Sequence, residues 1–227
     1  MNSTVRPQDA AGLILVRRPA RGAAEVLLGR RHAATRFMPG YYVTPGGRLE
    51  GIDSRPSGFS EPLQPPEGDV DAATRKRLPA LARCALRETA EETGLLVGRR
   101  APLDRRPASH WAPFIEAGLT PAFGDLRLIA RAITPAGSPI RFHTRFFLVD
   151  GALAEGRLAG DGELEDLRWV VTTALDDLPM AEVTRLVIAE ALRQGEAPAP
   201  LRVLIWRRDG RTLRPSKTVE GSKSLRR

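Results

Sequence analysis

The chain has 227 residues, 42% hydrophobic and 27% charged, with a net charge of +8, which is enough length and core for one elaborated domain of ordinary soluble composition. No stretch reaches the apolar length of a membrane span, and Cys84, the only cysteine, excludes an internal disulfide and a thiolate metal cage. From Arg202 to Arg227 nine Lys+Arg stand against two acids, so nearly all the excess charge belongs to a tail, and nucleic acid is disfavoured as a partner.

In chain order, Ala11–Arg18 and Glu25–Arg31 read as a β-hairpin around Pro19–Ala24, and Tyr41–Thr44 as a short strand ended by Pro45-Gly46-Gly47. Arg48 to about Gly68 is loop by composition. Asp69 or Asp71 is placed to cap a helix running through Arg77, and Pro79 to open a second helix, Ala80–Thr93, stopped by Gly94. A short helix follows over Ala108–Ala117, with Trp111, Phe114 and Ile115 on its apolar side. Strands are then expected at Asp125–Thr134 and Ile140–Val149, a flexible connection over Gly151–Gly162, and a strand at Glu165–Val171. Ala181–Arg193 has the spacing of an amphipathic helix, and Leu201–Trp206 with Arg211–Leu213 that of a terminal hairpin about Asp209-Gly210. The expected organisation is one domain over residues 1–200 with an insertion at about 54–79, and a hairpin plus basic tail over 201–227, disordered after Pro215. The N-terminus lacks a basic-then-apolar export pattern, so a cytoplasmic location is expected by default.

The string Arg87-Glu88-Thr89-Ala90-Glu91-Glu92-Thr93-Gly94-Leu95 concentrates the chemistry. Glu88, Glu91 and Glu92 stand at i, i+3 and i+4, so a helix projects all three carboxylates from one face. Hard oxygen ligands held together are what Mg²⁺ or Mn²⁺ requires. A solvated acidic face is the plainer account of most charge runs, but the flanking residues decide against it here.

The string resembles the second half of the Nudix hydrolase signature, matching at Arg87, Glu88, Glu91, Glu92, Gly94 and Leu95, while Gly47 with Pro45-Gly46 matches the first half. Asp53 stands where the signature has Glu, and Ser54–Leu86 supplies 33 residues where seven are expected, an insertion of 26. A split box of this kind is similar to the branch that includes the peroxisomal coenzyme A diphosphatase and its bacterial relatives. Leu27-Leu28, Arg31, Arg36, Gly40 and Pro45-Gly46-Gly47 follow the spacing of that branch's coenzyme A motif, with Gly29, His32 and Thr44 as departures. The likeness spans roughly residues 11–193 and leaves out the basic tail.

The resemblance implies an α+β fold, an α/β/α sandwich with a mixed β-sheet flanked by helices. It implies a Mg²⁺- or Mn²⁺-dependent diphosphatase acting on a small-molecule nucleotide, with coenzyme A or an acyl derivative preferred. ADP-ribose, NADH or a dinucleoside polyphosphate is the nearest alternative, and a non-catalytic nucleotide-sensing or nucleic-acid-binding module the remaining one. Glu88 and Glu92 are then the expected metal ligands, aided by a carbonyl near Gly46. Glu91 is expected as a further ligand and catalytic group, or as a hydrogen-bond partner of Arg87. Arg87 joins the catalytic set, where an i, i+4 ion pair with Glu91 gives it a structural part. Asp53 takes the supporting part of the usual Glu. For the general base, Glu163 is the first choice and Glu165 the second. Expected substrate contacts are Arg31, Arg36, Gly46, Gly47, Tyr42 and Arg145. Arg141, His143 and Arg145 share one strand face that suits an anionic substrate or a polar outer sheet face equally well. Phe37, Tyr41 and Tyr42 are available for stacking on an adenine or, as is more common, for core packing. A homodimer is left open, with the insertion as lid, dimer contact or decoration.

Overall fold

The first strand, Gln8–Arg17 (β1), is apolar at almost every position because both of its faces are covered. Leu13 and Leu15 turn to one core, and Ile14 and Val16 to another. The computed structural model describes residues 5–66, 70–100, 109–194, 202–205 and 214–215. Within them β1 pairs antiparallel with Glu25–Arg31 (β2), the expected hairpin. Tyr42–Val43 (β3) pairs with β2, and Gly46–Arg48 (β4) pairs with the first half of β1. The glycine run therefore continues as sheet instead of ending it.

The helix that follows, Ala72–Thr93 (α1), is continuous and carries Pro79 in its interior, where two helices were expected. Its first turns are exposed at Ala72, Ala73, Arg75, Lys76 and Arg77, while Leu81, Ala82, Cys84, Ala85 and Leu86 are buried. Packing of the later turns thus holds the helix through the proline's missing N–H. Asp71 is the N-cap, accepting from the Thr74 N–H at 2.8 Å, and Gly94 closes the helix in the left-handed region at φ +71°. Asp69 lies outside the described residues.

Leu95–Arg100 (β5), Leu119–Pro121 (β6) and Ala154–Gly156 (β9) form a small sheet in the order β6-β5-β9. The sequence pattern carries no sign of it, and β9 falls inside the expected flexible connection. Between β5 and β6 lies Ala112–Glu116 (α2), preceded by a 3₁₀ turn that buries Trp111. Arg127–Ile133 (β7) and Phe142–Asp150 (β8) pair antiparallel, and β8 runs parallel to β1. Leu164–Val171 (β10) pairs with β2, and Glu182–Gln194 (α3) follows. Arg202–Ile205 (β11) pairs parallel with β7, and Arg214–Pro215 (β12) pairs with β11. The terminal pair thus extends the main sheet, ordered β10-β2-β1-β8-β7-β11-β12. The tail beyond Pro215 lies outside the described residues.

One core joins α1 and the small sheet's side to Leu13, Leu15, Leu27, Phe147 and Val149. The other joins Val187, Ile188 and Ala191 of α3 to Ile14, Val16, Leu28 and Ile129. The result is the expected mixed sheet flanked by helices on its two faces. No described helix is long and apolar enough to cross a membrane.

The continuity of α1 has a measurable consequence. Replacing Pro79 by Ala restores a donor for the Arg75 carbonyl, and is expected to stabilise the fold by about 1–3 kcal/mol in a denaturant titration. A proline that opened a separate helix would show the opposite sign, because it would already be well placed there.

Candidate active site

The site is built where α1 meets β4. Gly46 has φ +149°, and a Cβ there would collide with the Ala11 carbonyl and Gly12 of β1. A Cβ on Gly47 would enter the Glu88 carboxylate. The two glycines are thus needed for close approach, and they form the wall of a cavity of about 290 Å³ lined also by Arg31, Glu50, Glu88, Glu92, Phe142 and Glu163.

Beneath that wall lies a chain of ion pairs. Arg87 donates Nε and Nη2 to the two Asp53 oxygens at 2.8 and 2.9 Å, Nη2 to Glu88 at 2.9 Å and Nη1 to Glu91 at 2.7 Å. Asp53, 1% exposed, also accepts from the Glu50 N–H at 2.8 Å. Asp53 reaches Arg87 despite its shorter side chain because Ile52–Ser54 forms a 3₁₀ turn whose Asp53 carbonyl is held by Arg83 at 2.8 Å. Arg83 is in turn forked onto Glu61 of the insertion at 2.8 and 2.9 Å. The insertion therefore packs along α1 and braces it.

Glu88 and Glu92 occupy the floor of the cavity. Glu92, 2% exposed, accepts from the Gly46 N–H at 2.7 Å. Burial pushes Glu92 up to about 8 against that hydrogen bond, and Glu88 up to about 7 against the pull of Arg87. Each carboxylate raises the other or is raised by a neighbouring acid, and Glu163 is close enough to add to the Glu92 shift. Among the described residues no three His, Cys, Asp or Glu side chains converge as a ready metal cage. Two largely desolvated carboxylates short of positive charge nevertheless fit a hard divalent cation, as would be expected of an all-oxygen donor pair.

The remaining expected residues divide clearly. Arg31 lies in the cavity, its Nε buried and without a hydrogen-bond partner among the described residues. Glu163 also lines it, whereas Glu165 is paired with Arg30 at 3.0 Å. Glu91 does not line the cavity; half exposed, it accepts from Arg87, the second of the two parts expected of it. Arg87 has every guanidinium nitrogen engaged in protein ion pairs, so it positions other groups and does not meet substrate. Arg36 is exposed and outside the cavity.

Tyr42 and Arg145 are corrections as well. Tyr42 packs in the α3-side core with its hydroxyl bonded to Asp166, because β3 is tucked against β2. Arg145, 1% exposed, faces α1 and is held by Asp9, Thr74 and the His143 carbonyl. The face shared with His143 is covered by the first turns of α1, and burial pushes His143 down to about 4. Arg141 donates to the Val5 and Thr134 carbonyls. Tyr41 is exposed, and Cys84 is buried with its thiol pushed up by burial. Glu50, which lines the cavity three residues after Gly47, is a site residue that the sequence pattern did not single out.

Two outcomes are expected. Glu88 and Glu92 have folded values above the ordinary 4.5, so the metal-free fold is most stable below that pH. It loses on the order of 3 kcal/mol per carboxylate as pH rises through 7 to 8. Melting curves from pH 5 to 8 should show this fall, with Glu92→Gln flattening it and added Mn²⁺ opposing it; a slope identical in Glu92→Gln would contradict the assignment. Asp53→Ala strands Arg87 at a buried position and should cost about 3 kcal/mol by denaturant titration.

No protein-family model matches the chain. Among solved structures, a NUDIX hydrolase from Alicyclobacillus acidocaldarius is 32% identical, with a TM-score of 0.62 over 83% of this chain and 92% of that one. A MutT protein from Bacillus halodurans, 16% identical at a TM-score of 0.50 over 92% and 96% of the two chains, shares the fold. With Glu88, Glu92, Gly46 and Gly47 assembled at one cavity and a relative of that identity matched over most of both lengths, the chain belongs to the Nudix hydrolases, a family of enzymes acting on phosphoric anhydrides.

Proposed function

We propose that this chain hydrolyses the diphosphate bond of a nucleoside diphosphate linked to a second moiety, with coenzyme A or an acyl derivative as substrate. The observation that carries the reading is a pair of carboxylates, Glu92 buried and Glu88 largely so, in a cavity shared with the unpartnered Arg31 Nε and with Glu163. Glu88 and Glu92 would hold a divalent ion, Mg²⁺ or Mn²⁺. Once bound, such an ion neutralises the diphosphate and lowers the pKa of water.

The chain's own residues take the other parts. Arg31, which lines the cavity, receives a phosphate oxygen. Glu163, exposed to solvent at the rim and free of any ion pair among the described residues, accepts a proton from the attacking water. Asp53, Arg87 and Arg83 hold α1 against the Gly46-Gly47 wall, so both carboxylates keep their direction. The phosphorus–oxygen bond between the phosphates breaks, and the products are adenosine 3′,5′-bisphosphate and a 4′-phosphopantetheine. Support for coenzyme A comes from the Leu27-Leu28…Arg31…Pro45-Gly46-Gly47 pattern, whose Arg31 reaches the cavity. The departure at Gly29 has a local cause, since a Cβ there would meet Leu164 and Leu167 of the β10 strand.

Coenzyme A, ADP-ribose, NADH and a dinucleoside polyphosphate should be assayed side by side with Mg²⁺ and with Mn²⁺, following product release. Cleavage of coenzyme A with the highest kcat/KM is expected. Turnover of ADP-ribose with coenzyme A untouched would overturn the substrate, and no turnover of any would overturn the hydrolase reading. Glu92→Gln should lower kcat by at least about a thousandfold and Glu163→Gln by about a hundredfold or more. Glu91→Gln should lower it by less than about tenfold, because Glu91 reaches the site only through Arg87.

A further inference from the structure

The carboxylate cavity does not end at Phe142. A second cavity of about 390 Å³ lies behind it on the α3 face of the sheet, and the two share Phe37, Phe142 and Thr144 as a common wall. Phe37 and Phe142 meet edge to face at 5.1 Å between ring centres. The volume lies within the range of small-molecule sites.

Its lining decides what it can hold. Apolar walls come from Val43, Ile133, Phe146 and Val183, and among the described residues the only charged one in the lining is Glu182, exposed at the start of α3. Among the described residues no Asn, Gln, Asp, Arg, Lys or His lines it. Thr44, Thr134, Ser138, Thr144 and Thr184 add scattered hydroxyls, of which that of Thr134 accepts from the Phe142 N–H at 3.0 Å. A nucleobase buried there would carry several ring and exocyclic polar atoms past walls that offer them little, and each unmatched one opposes binding. A phosphate or a carboxylate would find no cation. An uncharged apolar group finds the Val43, Ile133, Phe146 and Val183 walls to pack against and brings no polar atom of its own that needs a partner.

We infer that this cavity takes the uncharged, apolar segment directly beside the diphosphate on the substrate's non-nucleoside arm (in coenzyme A, the branched dimethyl carbons that precede the pantetheine amides), while the diphosphate itself lies at Glu88, Glu92 and Arg31. The cavity is then the specificity pocket for the non-nucleoside half. This rests on the diphosphatase reading and goes further, because it ranks substrates by the apolarity of the group beside the diphosphate.

Synthetic alkyl esters of ADP, from methyl to octyl, test it with one reaction, release of AMP and the alkyl phosphate. Each methylene that enters the cavity should raise kcat/KM by about fourfold, chiefly through KM, until the cavity is full and the series levels. Ala181→Trp, which places an indole at the cavity rim, should flatten the series when each ester is referred to the same variant's methyl ester. Melting curves establish that the variant is folded. A wild-type series that is flat from methyl to octyl would overturn the pocket assignment, as would an unchanged slope in folded Ala181→Trp. A flat series combined with strong discrimination between ADP and CDP esters would assign the cavity to the base instead. Failure to cleave even the methyl ester with Mg²⁺ or Mn²⁺ would count against the diphosphatase reading, and so stays distinct from the other outcomes.

Discussion

The buried pair of Asp53 and Arg87 is the constraint on which the rest of the site depends. It crosses from the loop after β4 to the middle of α1, and almost no water reaches it. A buried carboxylate or guanidinium left alone costs several kcal/mol, so each must be held by a full set of partners. Here the set is complete: Asp53 takes two Arg87 nitrogens and the Glu50 N–H, and Arg87 also bonds Glu88 and Glu91. One consequence is the seat of Glu88. Another is that α1 cannot shift along the sheet without breaking the pair.

The insertion becomes intelligible in the same terms. Lengthening a loop adds little to its closure entropy, so 26 extra residues between the two halves of the signature are tolerable. What must survive is the meeting of Asp53 with Arg87. The insertion contributes to that meeting, since Glu61 locks Arg83 and Arg83 holds the Asp53 carbonyl. Its last part winds directly into α1, and this makes the helix longer than the signature alone requires.

Charge is balanced in the brace and unbalanced in the cavity. Arg87 is surrounded by acids, while Glu92 has a single backbone donor and Glu88 shares Arg87 with Asp53 and Glu91. Both carboxylates are consequently raised by burial. An arrangement that is unfavourable by itself becomes favourable when a cation and a polyanion bind together, and sites of this kind characteristically hold such strain. The apolar cavity beside it, bordered by the shared Phe37 and Phe142, has the opposite character. A substrate bound across the two would need a charged centre and an uncharged arm.

By itself the sequence determined the helix that carries the glutamates, its stop at Gly94, the hairpin β1–β2, the strands β7, β8 and β10, and the amphipathic α3. All rest on local signals: periodicity, a glycine that tolerates φ +71°, and proline or glycine at turns. The carboxylate face of Glu88 and Glu92 was legible because i, i+4 spacing places two side chains together whatever the surroundings. Only the tertiary structure decided the rest. It turned Glu91 outward to Arg87, committed Arg145 to Asp9 and Thr74, and buried Tyr42 against α3. The last two outcomes depend on partners distant in sequence, Thr74 for Arg145 at 71 positions and Asp166 for Tyr42 at 124. The strands β6 and β9 have three residues each and pair with β5 over three positions apiece, too few for an alternating pattern to mark them in the sequence. Pro79 sits inside a helix because buried Leu81 to Leu86 outweigh a local penalty. Spacing along the chain settles which side chains share a helix face; which of them face substrate is settled by packing from distant segments.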